Sequence, residues 1–337
     1  MKNKQIIGLV VAGLVFSSVG IISVVTNHMA SKMFNTSKDV FDSVISSTGL
    51  EYEVPDNDFI GVISVEGPIA DNTQSQSLFS SNISGYNHQG NLAFIDAMIN
   101  SESNKAIFLE VNSPGGYMYE SDELYEKLME YKEKTERPIY AYFGKNAASG
   151  AYYISMAADE IYMNKTGTTG SIGVIMSMFN TSELYKKLGI EEINITSGKN
   201  KAMGSSGQAL TDEQRNIYQS VIDEAYGYFV DVVEKGRGLN RDTVIKIADG
   251  RIYTAQQALD LNLIDHISSE EDAKGDIVSK LGFSELEFYT PNHAATNAIS
   301  SFFGIINNYR PMSQAEVLDE YLKTKGNGVP MYYAQTK

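Results

Sequence analysis

From Phe59 onward, uninterrupted apolar runs alternate with stretches whose apolar positions recur at helical spacing. Phe59–Val65, Ala106–Val111 and Ile139–Phe143 read as strands, with helices predicted near Asn91–Ile99, near Ser121–Tyr131 and after Ser149. Strands without polar alternation are covered on both faces, and strand-helix alternation of this kind predicts an α/β fold with a parallel sheet. Leu124, Leu128 and Tyr131 fall at i, i+4 and i+7, the core stripe of their helix. The pattern continues through strands at Glu160–Met163 and Glu192–Thr196. A long helix is then opened by the capping box Thr211-Asp212-Glu213-Gln214, with Ile217, Val221, Ala225, Phe229 and Val232 on its apolar face. A second capping box, Thr254-Ala255-Gln256-Gln257, opens a short helix, and regularity weakens after Asp272. No internal repeat is visible, so residues 58–322 form a single globular domain, followed by a tail over 323–337.

Ahead of this domain, Ile6–Val25 is free of charge and about 20 residues long, enough to cross a hydrocarbon core at 1.5 Å per residue. The run leads into Thr26-Asn27-His28-Met29, with no small-residue cleavage site of the A-x-A kind, so it reads as a retained transmembrane anchor over 1–27. Lys2 and Lys4 place the N-terminus in the cytoplasm and the rest of the chain outside it, in a cell membrane. Residues 28–57 read as a partly helical juxtamembrane spacer.

With 27 basic and 42 acidic residues, the net charge of −15 argues against nucleic acid and against a polybasic grip on anionic lipid. The chain has no cysteine, which removes thiol nucleophiles, thiolate zinc sites and disulfides together. Its four histidines, His28, His88, His266 and His293, lie in no catalytic motif, and His266 reads as a packing residue.

Candidate chemistry lies in two segments. Asn112-Ser113-Pro114-Gly115-Gly116 ends an apolar run in a glycine turn that can present backbone N–H groups. Ala147-Ala148-Ser149-Gly150-Ala151-Tyr152-Tyr153 places a serine among small residues at a helix start. A nucleophile, and donors for the oxyanion that its attack creates, are the two halves of an acyl-transfer site. No serine is flanked as G-x-S-x-G and no S-x-x-K occurs, so the base is remote in sequence. Lys199 and Lys201, in the Gly/Ser-rich segment after Thr196, are the candidates, and a hydroxyl such as Ser171 could hold a neutral amine in place. A lysine base must be neutral, so its pKa of about 10.4 has to fall toward 7, roughly 4–5 kcal/mol of destabilisation of the ammonium.

Together with the anchor, these segments and Thr169-Gly170-Ser171-Ile172-Gly173-Val174, Ser197-Gly198-Lys199-Asn200-Lys201 and Gly250-Arg251-Ile252-Tyr253 closely resemble the bacterial signal peptide peptidase A family. The resemblance spans Asp58 to Ile267 and fits the short form, with one copy of the catalytic region. It implies a crotonase/Clp-protease-like fold of repeated strand-turn-helix units and an N-terminal transmembrane helix. Ser149 resembles the nucleophile, Lys201 the general base, Gly116 and Gly150 the oxyanion donors and Ser171 the residue that orients the lysine. No metal or cofactor is implied. The implied partners are peptide substrates (cleaved signal peptides and other unfolded exported peptides), membrane lipid around the N-terminal helix, and further copies of the chain in a ring-like homo-oligomer whose neighbouring protomers share the Ser/Lys dyad. Other readings of the same scaffold are an acyl-CoA hydratase or thioesterase, disfavoured by the anchor and the Ser149/Lys201 pair, and a catalytically inactive membrane scaffold.

The tail carries one further expectation. After Gly326-Asn327-Gly328, the segment Val329–Gln335 is apolar for a chain end, and Pro330 favours extended geometry around it. This predicts that the tail occupies an active-site cleft as a self-inhibitory or self-processed peptide.

Overall fold

The computed structural model describes residues 54–71, 85–291 and 331–333, with Tyr332 the one side chain described in the last of these segments. The predicted anchor, most of the spacer and most of the tail lie outside the described residues. No helix among the described residues is long and apolar enough to cross a membrane.

The predicted α/β alternation is present. Strands β1 (Phe59–Glu66), β2 (Asn104–Ser113) and β4 (Ile139–Ala148) form the centre of a largely parallel eight-stranded sheet, and β3 (Gly115–Tyr117) is a short piece directly after β2. Helices α1 (His88–Ile99), α2 (Met118–Thr135) and α3 (Gly150–Ser155) connect or follow them. One face of the sheet carries Ile63, Val65, Ile107, Leu109, Val111, Ala141 and Phe143 into the main core. The alternate residues Ile60, Val62, Phe108, Tyr140 and Tyr142 form a second cluster on the opposite face. Both faces of each strand are therefore buried, as the unbroken apolar runs require.

Strand β4 serves two partners along one edge. Its first half pairs with β5 (Glu160–Met163), and its last residues, Asn146–Ala148, pair with β6 (Thr168–Gly170). The change of partner follows Gly144, beside a register irregularity against β2. It sends the C-terminal end of β4, and Ser149 after it, toward β6 rather than along β5. Strand β7 (Ile252–Thr254) pairs antiparallel with β6, and β8 (His266–Ile267) continues from β5. His266 stacks on the Tyr162 ring at 4.5 Å and bonds Glu160, a packing role as read from the sequence.

Both capping boxes form. Thr211 and Gln214 exchange side-chain bonds at the start of α5 (Asp212–Arg237), and Thr254 and Gln257 do the same at α7 (Ala255–Asp260), after α6 (Arg241–Ile247). Two expectations fail. Glu192–Thr196, which follows α4 (Ser182–Leu188), forms no strand, and Ile193 and Ile195 stand 74% and 98% exposed. Conversely, order persists past Asp272. Helix α8 (Glu270–Lys280) covers the second core cluster through Ala273 and Ile277, and β9 (Glu287–Tyr289) pairs with β1.

Candidate active site

Ser149 stands between β4 and α3 with φ 57° and ψ −121°, a backbone region that costs a residue with a Cβ about 1–3 kcal/mol. Its backbone N–H donates to the carbonyl of Gly170 at 2.8 Å, an extension of the β4–β6 ladder. The following residues are small because the turn is crowded. A methyl group on Gly150 would stand 2.4 Å from Ser121 Oγ. The Ser149 side chain is buried, and its Oγ has no hydrogen-bond partner among the described residues. A buried hydroxyl with no partner, held on a strained strand-to-helix turn, calls for an explanation beyond packing.

Gly115 and Gly116 lie against this turn. Gly115 has φ +94°, and a methyl on it would stand 2.7 Å from Gly150 N and 2.9 Å from Ala148 O. Ser113 Oγ accepts the Gly115 N–H at 3.1 Å and shapes the turn from within. On one side of the Gly115–Tyr117 strand, Ile69 donates its N–H to Gly115 O at 3.0 Å and accepts from Tyr117 N at 2.9 Å. That bonding leaves the N–H and C=O of Gly116 facing the other side, because successive residues of an extended strand present these groups to opposite edges.

The other side is occupied by the chain's own tail. Met331–Tyr333 forms strand β10, antiparallel to β3, with Tyr332 opposite Gly116. Since the polar groups of Gly116 face Tyr332, these residues are the hydrogen-bonded pair of the ladder, and the Gly116 N–H donates to the Tyr332 carbonyl. A methyl on Gly150 would lie 3.2 Å from both the carbonyl oxygen and the Cβ of Tyr332. The tail segment thus lies along the glycine edge, against Gly150.

Of the predicted site residues, Gly116 and Gly150 meet at Tyr332, and Ser149 stands next to Gly150 on the same turn. Ser171 joins them from β6 as the residue after Gly170, with φ 50° and its N–H on Arg251 O at 2.7 Å. Lys201 does not. It sits on an exposed turn, its N–H bonded to Gly198 O at 3.0 Å, and its ammonium has no partner among the described residues. Lys199 is 74% exposed and pairs with Glu213 at 2.7 Å. Tyr153 packs in the core and also meets the tail strand. Its ring lies 5.4 Å from that of Tyr125 and stacks on Tyr332 at 5.0 Å, and its hydroxyl donates to Asp122 at 2.5 Å. Burial, and then the bond to Asp122, push the Tyr153 phenol far above the usual range, so it stays a neutral donor. Sequence reasoning gave Phe229 only a place on a core stripe. The structure brings it to 4.7 Å from the Tyr332 ring, and the apolar character of the tail was the only signal of that contact.

A strand-binding edge beside a strained, unpartnered serine is the arrangement a serine peptidase requires, and several proteins similar to this chain are named as peptidases. Residues 131–281 match peptidase family S49. An Enterococcus faecium protein provisionally named signal peptide peptidase SppA is 36% identical over 274 residues, covering 81% of this chain and 77% of that protein. The chain belongs to peptidase family S49. Protease 4 of Haemophilus influenzae is 34% identical over 66% of this chain and 34% of its own length. The chloroplastic serine protease SPPA of Arabidopsis thaliana is 32% identical over 50% of this chain and 24% of its own.

Proposed function

We propose that this peptidase is a membrane-anchored, extracytoplasmic endopeptidase that hydrolyses cleaved signal peptides and other unfolded exported peptides with a Ser149/Lys201 dyad. The observation that carries the reading is the buried, unpartnered Ser149 Oγ on its strained turn, next to the glycine edge. In the first step the neutral Lys201 amine takes the Ser149 proton as Oγ attacks the peptide carbonyl. The N–H groups of Gly116 and Gly150 stabilise the oxyanion, and Ser171 orients the amine. Collapse of the tetrahedral intermediate expels the amine of the C-terminal fragment, protonated by the lysine, and leaves an acyl-serine. Water, activated by the same lysine, then hydrolyses the ester.

Lys201 is supplied by a neighbouring protomer of a ring. Supporting this, Ser149 Oγ has no partner among the described residues, Lys201 has none either, and the unpaired segment beside Lys201 exposes Ile193 and Ile195 as association would require. Residues 1–27 anchor the ring, and the catalytic domain meets membrane-borne peptides on the outer side.

The test is complementation. Full-length Ser149→Ala and Lys201→Ala proteins, each inactive alone, are mixed under conditions of subunit exchange. A shared dyad regenerates sites that combine the intact serine of one variant with the intact lysine of the other, so peptide hydrolysis returns. A mixture as inactive as its components places both residues of the dyad in one chain, and full activity of Ser149→Ala alone removes the serine mechanism.

A further inference from the structure

Lys201 rides on a segment without helix or strand, and one carboxylate holds that segment. Residues 198–207 form a run of turns, closed by the Lys201 N–H on Gly198 O at 3.0 Å, the Met203 N–H on Asn200 O at 3.1 Å and the Ser205 N–H on Ala202 O at 3.2 Å. Exposed turns of this kind open readily unless other bonds hold them. Glu192 supplies such bonds. Its Oε1 accepts from the Ser205 hydroxyl and from Asn194 Nδ2 at 2.8 Å, and its Oε2 accepts the Gly207 N–H at 2.8 Å. A methyl on Gly207 would stand 2.1 Å from Oε2 and 2.8 Å from the Glu192 Cβ, so the bare backbone at 207 makes room for the carboxylate. The bond from Ser205, and then that from Asn194, hold the Glu192 carboxyl below its usual range. Hydrogen bonds to an ionised acceptor are stronger than neutral ones.

Neighbouring bonds complete the anchorage. Ser206 O accepts the Thr181 N–H at 2.7 Å and the Thr181 hydroxyl at 3.0 Å, and Met203 O accepts the Tyr218 hydroxyl at 3.0 Å. The stretch 202–207 is therefore half-buried and fixed to the residues around α4 and to α5, while Lys201 itself stays exposed at its edge. Resting on the Ser149/Lys201 reading, we infer that Glu192 is a positioning residue for the base: it fixes the Lys201 turn within its own chain and so sets where the amine is presented. Glu192 acts through Lys201 alone. A displacement of about 1 Å at a reacting group can cost about 10²-fold in rate, so a turn released from Glu192 presents its amine poorly even though the amine is intact.

The experiment compares full-length proteins at a temperature where each is folded, by peptide hydrolysis and by the rate at which a phosphonyl-forming serine reagent labels Ser149. Glu192→Ala should lower kcat and the labelling rate about 10²-fold with KM unchanged. Gly207→Ala, which forces the carboxylate aside, should do the same, and it carries the test if Glu192→Ala does not fold. Glu191→Ala, at the exposed neighbouring position, should change neither rate. The decisive comparison is with the lysine. A residue that acts through Lys201 adds no loss once the amine is gone, so Glu192→Ala/Lys201→Ala should match Lys201→Ala. Unchanged rates in Glu192→Ala, an equal loss in Glu191→Ala, or a double variant slower than Lys201→Ala by about the same factor overturns the inference and leaves the dyad standing. A fully active Lys201→Ala overturns the dyad, and the inference with it.

Discussion

The backbone N–H of Ser149 is committed to the carbonyl of Gly170, so the serine cannot supply its own amide to an oxyanion. This bond also sets the orientation of the strained turn, since it is the last rung by which β6 holds the end of β4. Gly170 can do this only without a side chain: it has φ +93°, and a methyl would stand 2.7 Å from the Tyr253 ring and 2.8 Å from Arg251 O. Gly170→Ala should destabilise the fold by about 1–3 kcal/mol. It should also lower kcat at least tenfold at temperatures where the variant is fully folded. Denaturant unfolding and peptide hydrolysis on the same samples check this, and unchanged kcat would show that the Gly170 bond does not position Ser149.

The strain at Ser149 itself is measurable. Glycine relieves about 1–3 kcal/mol at a positive φ, while its greater unfolded-state entropy costs about 0.4–1 kcal/mol against alanine. Ser149→Gly should therefore be about 1 kcal/mol more stable than Ser149→Ala, with both inactive. A glycine variant less stable than the alanine one would mean that the turn carries no such strain.

Lys201 and Lys199 should separate sharply. Lys199→Ala removes an exposed ion pair with Glu213, worth less than about 1 kcal/mol, and should leave hydrolysis nearly intact. Lys201→Ala should reduce kcat by about 10²–10⁴. In the unmodified enzyme the rate should climb with pH through neutral into alkaline conditions, because the base acts only after losing its proton. A maximum near pH 5 would be incompatible with an amine base.

A fourth measurement concerns the frame behind the site. The guanidinium of Arg237, at the end of α5, makes bonds of 2.7 and 3.0 Å to Asp265, which also accepts the Ile161 N–H. Burial raises the Asp265 pKa, but the bonds from Arg237 and Ile161 outweigh it and hold the carboxyl below the usual range. A depressed folded-state pKa contributes stability above the unfolded value of about 3.9, and that stability is lost as pH falls through the folded value. Asp265→Ala should cost about 3–5 kcal/mol at pH 7, since it leaves the buried Arg237 guanidinium without a counter-charge, with only its bond to the Asn262 carbonyl remaining. The difference from the unmodified protein should shrink below about pH 4, as followed by denaturant unfolding across pH, and a difference that grows in acid would reverse the sign.

Much of this could be read in the sequence where local chemistry dictates geometry. Thr211 with Gln214 and Thr254 with Gln257 cap their helices as their spacing requires, and the glycines at 115, 116 and 150 mark where backbone must meet backbone. Reading failed where pairing depends on something distant. Glu192–Thr196 has the alternation of a strand, but in this chain it has no neighbour to bond. Strand β9 is only three residues long and is set by its place beside β1. On α5 the apolar face runs back through Val221 to Ile217, yet Val221 stays exposed and burial begins only at Ala225. Lys201 was singled out by its surroundings in the chain, whereas the structure leaves it on an exposed turn away from Ser149, and no pattern along a sequence reports on contacts between copies of a protein.

On the proposed reading, in which the glycine edge is the substrate cleft, the return of β10 to that edge gives the enzyme a threshold. A peptide tethered to its own cleft is present at an effective concentration on the order of millimolar, whatever the concentration of protein. A free peptide of equal affinity must approach that level before it is turned over efficiently, so sparse chains pass untouched while a local surplus is degraded. Under the same reading, activity follows the concentration of free peptide, with the threshold set by how tightly β10 holds the glycine edge.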